Sequence, residues 1–270
     1  MTHSKQTGPL VDDELLRYAR QILLDGWDID AQLRLKASRV VMIGAGGLGC
    51  PASETLVRAG LGQVHLIDDD VIEASNLQRQ TLFLPEDIGK PKALTAAQML
   101  SKINPLISAR GTVARVSEDN AYELLEMASG KPDLLLDCTD NFATRDIINR
   151  ISVRYQIPLL SASAIAMQGQ LALYEPHLGT GCYHCVFGSV AVDAEVDERT
   201  CANSGVLAST TAIMGNLQAN AALQYLGLTK NPLANKLLIW DGSQMQQRLM
   251  GYRKDVQCPV CSECFAINSQ

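Results

Sequence analysis

Apolar positions along the chain switch between helical and strand-like spacing. Between Asp12 and Gly26, Leu15, Leu16, Ala19, Ile22 and Leu23 recur at helical spacing, predicting an amphipathic N-terminal helix over residues 12–26 with Arg17 and Arg20 on another face. Arg39 to Ile43 is a β-branched run that reads as a strand. It breaks into the glycines of VMIGAGGLGC, after which Ala52 to Ala59 reads as a helix closed by Gly60, and Gln63 to Ile67 as the next strand. This βαβ order requires parallel pairing and a right-handed crossover.

Gly89 and Pro91 open a further helix whose face is Ala93, Leu94, Ala97, Leu100 and Ile103, ended by Asn104-Pro105. Strands are expected at Ser108 to Val113, Leu134 to Asp137, Pro158 to Ser161, Gly169 to Tyr174 and Lys236 to Asp241. Helices are expected at Ala121 to Ala128, Thr144 to Tyr155 and Gly205 to Leu226. The alternation predicts an α/β fold with a doubly wound, Rossmann-like sheet, mainly parallel and turning antiparallel near the C-terminus. Ser189 to Arg199, acidic and without apolar patterning, reads as a mobile loop.

The chain has 270 residues, 47% of them hydrophobic, enough for a large core, and no repeat or linker divides it. A net charge of −6 argues against nucleic acid as a partner. No apolar run is long enough for a membrane helix, and the polar start MTHSKQTGPL lacks a signal-peptide core, so the cytoplasm is the expected location.

Gly44, Gly46 and Gly49 satisfy G-x-G-x-x-G between strand and helix, where backbone amides can face a phosphate without Cβ obstruction. Asp68, at the end of the second strand, is placed to accept ribose hydroxyls. That much suits NAD or ATP. Arg79 in SNLQRQ and Lys92 in GKPK add positive charge, and Lys92 lies in a helical first turn, where the helix dipole disfavours a cation unless an anion is near. Together they favour a triphosphate. Asp140, just beyond a strand's carboxyl end, either holds Mg²⁺ or belongs to a Thr139-Asp140-Asn141 helix cap.

Eight cysteines in a chain of this size suggest metal ligation or a reactive thiol rather than a disulfide scaffold. Cys182 and Cys185 (CYHC) with Cys258 and Cys261 (CPVC) make two Cys-x-x-Cys pairs, the set for a structural four-cysteine zinc site clamping the tail onto the domain. Cys264 is a third tail cysteine. Cys201, near a helix start, reads equally as a nucleophile or a buried thiol, and Cys50 and Cys138 read as packing.

RYARQ at 17–21, GAGGLG at 44–49, DDD at 68–70, SNLQRQ at 75–80, GKPK at 89–92, CTDN at 138–141 and the paired cysteines occur in one order over nearly the whole chain. This set resembles the bacterial adenylyltransferases of the MoeB/ThiF family, relatives of the ubiquitin-activating enzymes. The resemblance implies a single ThiF-type adenylation domain over residues 1–270. Its parts are the N-terminal helix (12–26), a nucleotide-binding half (36–160) and a carrier-binding, zinc-containing half (161–270). It implies Mg-ATP-dependent adenylation of the C-terminal glycine of a ubiquitin-fold sulfur carrier, with pyrophosphate released. The preferred carrier is the small subunit of molybdopterin synthase, and the thiamine-pathway carrier is the alternative.

By the same resemblance Gly44, Gly46, Gly47 and Gly49 approach the nucleotide, Asp68 takes the ribose with Asp70 beside it, Asn76, Arg79 and Lys92 contact phosphates, and Asp140 coordinates Mg²⁺ next to Asn141. Arg20 reaches into the other subunit of a homodimer, and Cys201 matches a reactive cysteine of some members. An NAD-dependent oxidoreductase explains the glycine turn and Asp68 but neither the cations nor the cysteine pairs. A carrier-binding scaffold without catalysis is a third reading.

Overall fold

The computed structural model describes residues 8–188 and 205–262. Eight strands form one sheet in the order β3-β2-β1-β4-β5-β6-β7-β8, with β1 Arg39–Ile43, β2 Gln63–Ile67, β3 Ser108–Thr112, β4 Leu134–Asp137, β5 Leu159–Ile165, β6 Gln168–Tyr174, β7 Lys236–Asp241 and β8 Gln246–Gly251. The pairings from β3 through β5 are parallel, and those from β5 to β8 are antiparallel. This is the expected sheet. The chain winds outward from β1 through β2 to β3, then returns to β4 on the other side of β1, so the winding reverses between β1 and β4.

Register aligns the carboxyl ends of the parallel strands. Ile43 lies opposite Ile67 and Asp137, Ile67 opposite Thr112, and Asp137 opposite Ser161. β1, β2 and β4 are buried along their whole length, which explains their unbroken apolar reading where a half-exposed strand would alternate. Helices α2 Ile29–Ala37, α3 Gly49–Ala59, α4 Lys92–Ile103 and the 21-residue α8 Ala208–Leu228 supply one core, against the sheet face that carries Val40, Met42 and Leu66. The short α5 Ala121–Leu124, α6 Phe142–Tyr155 and α7 Tyr183–Phe187 supply a second, on the face of Val41, Ile43 and Leu135.

Gln218 of α8 ties sheet to helix. Its Nε2 donates to Asp137 O at 3.0 Å and Leu160 O at 2.9 Å, and its Oε1 accepts from the Cys138 thiol at 3.2 Å. Burial pushes the thiols of Cys50 (to about 12) and Cys138 up, as suits the packing role read for both.

Several elements differ from expectation. The N-terminal helix α1 spans Asp12–Ile22, and its leucines are not the face that docks: Leu16 is 81% and Leu23 76% exposed, while Glu14 and Tyr18 are buried. Polar contacts hold it instead. Lys36 Nζ bonds Glu14 Oε2 at 2.7 Å, and Asn104 Nδ2 donates to the Tyr18 hydroxyl at 2.9 Å. The helix expected over 121–128 breaks at Glu126, which adopts φ 51°, into α5 and a 3₁₀ turn at Met127–Ser129. α2 and β8 are additions to the expected elements. β8 has no alternation to read because all six of its residues are exposed.

The glycine turn is tighter than its spacing implies. α3 starts at Gly49, not Ala52, because Cys50 N already donates to Gly46 O at 2.9 Å. A Cβ on Gly49 would lie 2.2 Å from Gly44 O, and one on Gly44, whose φ is +96°, would lie 2.7 Å from Cys138 O. Gly49→Ala is therefore expected to lower unfolding free energy by about 2–4 kcal/mol, a backbone-clash cost rather than a propensity one. Urea denaturation measures it, and a loss below about 0.5 kcal/mol would mean that the turn relaxes freely.

Candidate functional site

The winding reversal leaves a cavity of about 960 Å³ at the carboxyl ends of the parallel strands. Gly44, Gly46, Gly47, Asp68, Asp70, Asn76, Arg79, Lys92, Asp140 and Asn141 all line it. The structure thus gathers ten residues singled out from motifs spread over almost one hundred positions. Gly49 is not among the lining residues; a Cβ there would strike Gly44 O, which places it in the turn's packing.

Gly47 sits where a side chain would be crowded, its Cβ position 3.1 Å from Thr211 Cγ2 and 3.3 Å from Arg79 Cδ. Asp68 braces the turn as well as lining the cavity. Its Oδ2 accepts from Ala45 N at 2.7 Å and its Oδ1 from Asp70 N at 2.8 Å. Burial pushes its carboxyl above the usual range, opposed by those two N–H groups. In the folded chain the proton is thus held more tightly than in the unfolded one, so stability from this group is greatest below its unfolded value and falls as pH rises through the folded value.

The Lys92 ammonium, buried in the first turn of α4, finds an anion within the chain: its Nζ lies 2.7 Å from Asp70 Oδ2. Arg79, half-buried, donates from Nη1 to Ser75 O at 3.1 Å and has no carboxylate partner among the described residues. Asn76 is buried, its Oδ1 accepting from Glu73 N at 3.1 Å, so it shapes the turn that carries Arg79. Across the cavity, Asn141 caps α6, its Oδ1 accepting from Thr144 N at 2.8 Å. That assigns the cap to Asn141 and leaves Asp140 exposed at the cavity's edge.

Arg145, Tyr183 and Thr211 also line the cavity, and the motifs did not single them out. Arg145 is 7% exposed; its Nη2 donates to Thr139 O at 2.6 Å and Ala162 O at 2.7 Å, and its Nε lies 3.7 Å from Asp137 Oδ2. Asp137, 1% exposed, further accepts from the hydroxyls of Thr139 and Ser161 at 2.6 Å each. One charge at the start of a helix gave no sign of burial, so sequence alone had little to offer here. Arg20 is exposed on α1 and outside this cavity. Cys201, Cys264 and the acidic stretch 189–199 lie outside the described residues.

The two Cys-x-x-Cys pairs come together. Sγ–Sγ separations are 3.9 Å for Cys182–Cys185, 3.7 Å for Cys182–Cys258 and 3.5 Å for Cys185–Cys261, and all four Sγ atoms lie within 4.8 Å of one another. Four sulfurs about 2.3 Å from a common centre are about 3.8 Å apart, so the quartet fits a tetrahedral ion. Asn149 Nδ2 donates to Cys182 Sγ at 3.6 Å and Asp255 N to Cys185 Sγ at 3.4 Å. Cys182 is pulled down to about 5, chiefly by the Cys261 thiol, with Asn149 assisting, while the same bond pushes Cys261 up. His184, between the first two cysteines, is not in the cluster.

The chain matches the ThiF family over residues 18–260. It is 41% identical over 250 residues to the sulfur carrier protein ThiS adenylyltransferase of Escherichia coli K12, covering 93% of this chain and 96% of the relative. It is 38% identical over 257 residues to the molybdopterin-synthase adenylyltransferase of the same organism, covering 94% and 99%. Among solved structures it resembles E. coli MccB with ATP (TM-score 0.74, 26% identity, 86% of this chain and 69% of that one). It also resembles the microcin C7 biosynthetic enzyme MccB in complex with N-formylated MccA (TM-score 0.78, 26% identity, 91% and 74%).

Arg145→Leu would leave the Asp137 carboxylate buried without its counter-charge and is expected to cost about 3–5 kcal/mol in urea unfolding. Asp137→Asn combined with Arg145→Leu should recover part of that loss. A single-variant cost below about 1 kcal/mol would contradict the pairing.

Proposed function

Since the chain belongs to the ThiF family, we propose that it adenylates the C-terminal glycine carboxylate of a ubiquitin-fold sulfur-carrier protein, with ATP as co-substrate and pyrophosphate as leaving group. The chain is an adenylyltransferase, and the observation that carries the reaction is the strand-end cavity that unites the glycine turn, Asp68, Arg79, Lys92 and Asp140. In this reading Gly44, Gly46 and Gly47 admit the phosphates, and Gly49 acts by keeping the turn closed. Asp68 holds the ribose, and Asn76 and Asn141 set the loops that carry Arg79 and Asp140. The carrier carboxylate, already ionised, attacks the α-phosphorus, and Arg79 and Lys92 offset charge that develops on the phosphate oxygens. Asp140, exposed at the rim and free of a capping role, is suited to hold Mg²⁺, which would screen the triphosphate.

Residues 1–270 are read as one adenylation unit, 36–160 holding the nucleotide and 161–270 the carrier and a structural Zn²⁺ on Cys182, Cys185, Cys258 and Cys261. The bare leucines of α1 support a homodimer: a helix held by Glu14 and Tyr18 leaves Leu15, Leu16 and Leu23 for another surface, and Arg20 on the same helix can then reach the partner's cavity. For Cys201 the reading keeps a covalent role, confined to steps after adenylation. The proposed location is the cytoplasm; no helix among the described residues is long and apolar enough to cross a membrane.

For the carrier we favour the molybdopterin-synthase small subunit and an enzyme of molybdenum cofactor biosynthesis. The thiamine-pathway carrier is the second reading, favoured by the 41% identity to the ThiS adenylyltransferase. ATP–pyrophosphate exchange with a panel of carriers tests both. Exchange is expected with the molybdopterin carrier, and Arg79→Ala or Asp140→Ala should reduce it by at least about 100-fold with the fold intact. Full exchange in both variants would overturn the site assignment, and exchange with the thiamine carrier alone would overturn the carrier choice. Elemental analysis should find about one zinc per chain, and chelation at elevated temperature should lower the melting temperature. Metal-free protein with an unchanged melt would remove zinc from the assignment.

A further inference from the structure

Lys92 and Asp70 are joined twice, by the ammonium–carboxylate pair at 2.7 Å and by Lys92 N donating to Asp70 O at 3.0 Å. The two side chains differ sharply in environment: that of Lys92 is 9% exposed and that of Asp70 66%. A buried ammonium requires a counter-charge, whereas an exposed carboxylate gives one up to water at little cost. Among the described residues Asp70 is the sole hydrogen-bond partner of Lys92 Nζ, so two of its three N–H groups remain to meet another anion. The neighbouring carboxylate, Asp68, is committed to Ala45 N and Asp70 N.

We propose that Asp70 is a positioning residue that competes with bound phosphate for Lys92. With the cavity empty it holds the ammonium in place. An incoming polyphosphate shares Lys92 with it, two anions on one cation, and as the anion departs Asp70 takes the ammonium back. The arrangement lowers affinity for ground-state and product polyphosphate while keeping the cation in the cavity that the glycine turn also lines, and so favours release. The inference rests on the adenylation reading only in naming pyrophosphate as the departing anion.

The test is calorimetric titration with inorganic pyrophosphate in the presence of a chelator, so that no divalent ion contributes. Asp70→Asn keeps size and a carbonyl acceptor but removes the charge, and is expected to bind pyrophosphate on the order of tenfold more tightly than the natural chain. Asp70→Glu should stay within about threefold of it. In a Lys92→Met background the Asp70→Asn gain should fall below about twofold, which a merely structural role for Asp70 would not produce. Thermal melts check each variant, with Asp70→Ser replacing Asp70→Asn if the latter does not fold. Unchanged or weaker pyrophosphate binding in the charge-neutral variant, or an equal gain without Lys92, overturns the proposal. Lack of carrier-dependent exchange in the natural chain would instead sink the adenylation reading and leave these affinities interpretable.

Discussion

The arrangement depends on one close approach of backbone to backbone at the tip of β1. A Cβ at Gly44 would collide with Cys138 O and one at Gly49 with Gly44 O, so β1, the start of α3 and the end of β4 fit together only where side chains are missing. Because the parallel strands end in register, these two approaches also bear on how near Asp68 and Asp140 come to the turn. Asp68 returns the constraint by accepting from Ala45 N, so a residue assigned to ligand binding also braces the loop it serves. Binding geometry and folding geometry are then hard to separate by mutation.

The charges around the cavity fall into two groups. Arg145 and Asp137 are buried and mutually satisfied, with backbone carbonyls and hydroxyls taking their remaining valences, so they behave as framework. Arg79, bonded to Ser75 O, and the exposed Asp140 have no ion-pair partner among the described residues and keep their charge available to a ligand. Lys92 stands between these groups, buried like framework yet held by a carboxylate that faces water.

Most of the sheet and ten residues of the cavity lining could be read from the chain because each signal was local. Buried parallel strands are continuous apolar runs, and G-x-G-x-x-G, SNLQRQ and CTDN each mark one turn. The losses came where packing, not periodicity, decides. The leucines of α1 imply a buried face in one chain, yet Glu14 and Tyr18 hold the helix through Lys36 and Asn104, partners remote in sequence. β8 is exposed throughout and leaves no alternation, and the interruption at Glu126 depends on one backbone angle. The first-turn position of Lys92 did predict a neighbouring anion. The anion found is Asp70, so the same observation is less specific for triphosphate than its spacing suggested.

The cysteine quartet has a consequence for the chain's behaviour outside the native state. Cys182 and Cys258 are 76 residues apart, and the segment between them contains α8, β7 and β8. An ion that fastens the quartet closes this segment into a loop, and closing one of that length removes roughly 4 kcal/mol of freedom from the unfolded chain. It would also restrain the segment that follows the outermost strand. Among the described residues β8 forms a sheet edge with Leu249 and Met250 bare, and β7 is its one strand partner. Were it to peel away, β7 would become an open template for strands of other molecules. An ion held there would thus also guard a large sheet against self-association, a task apart from the chemistry of the cavity.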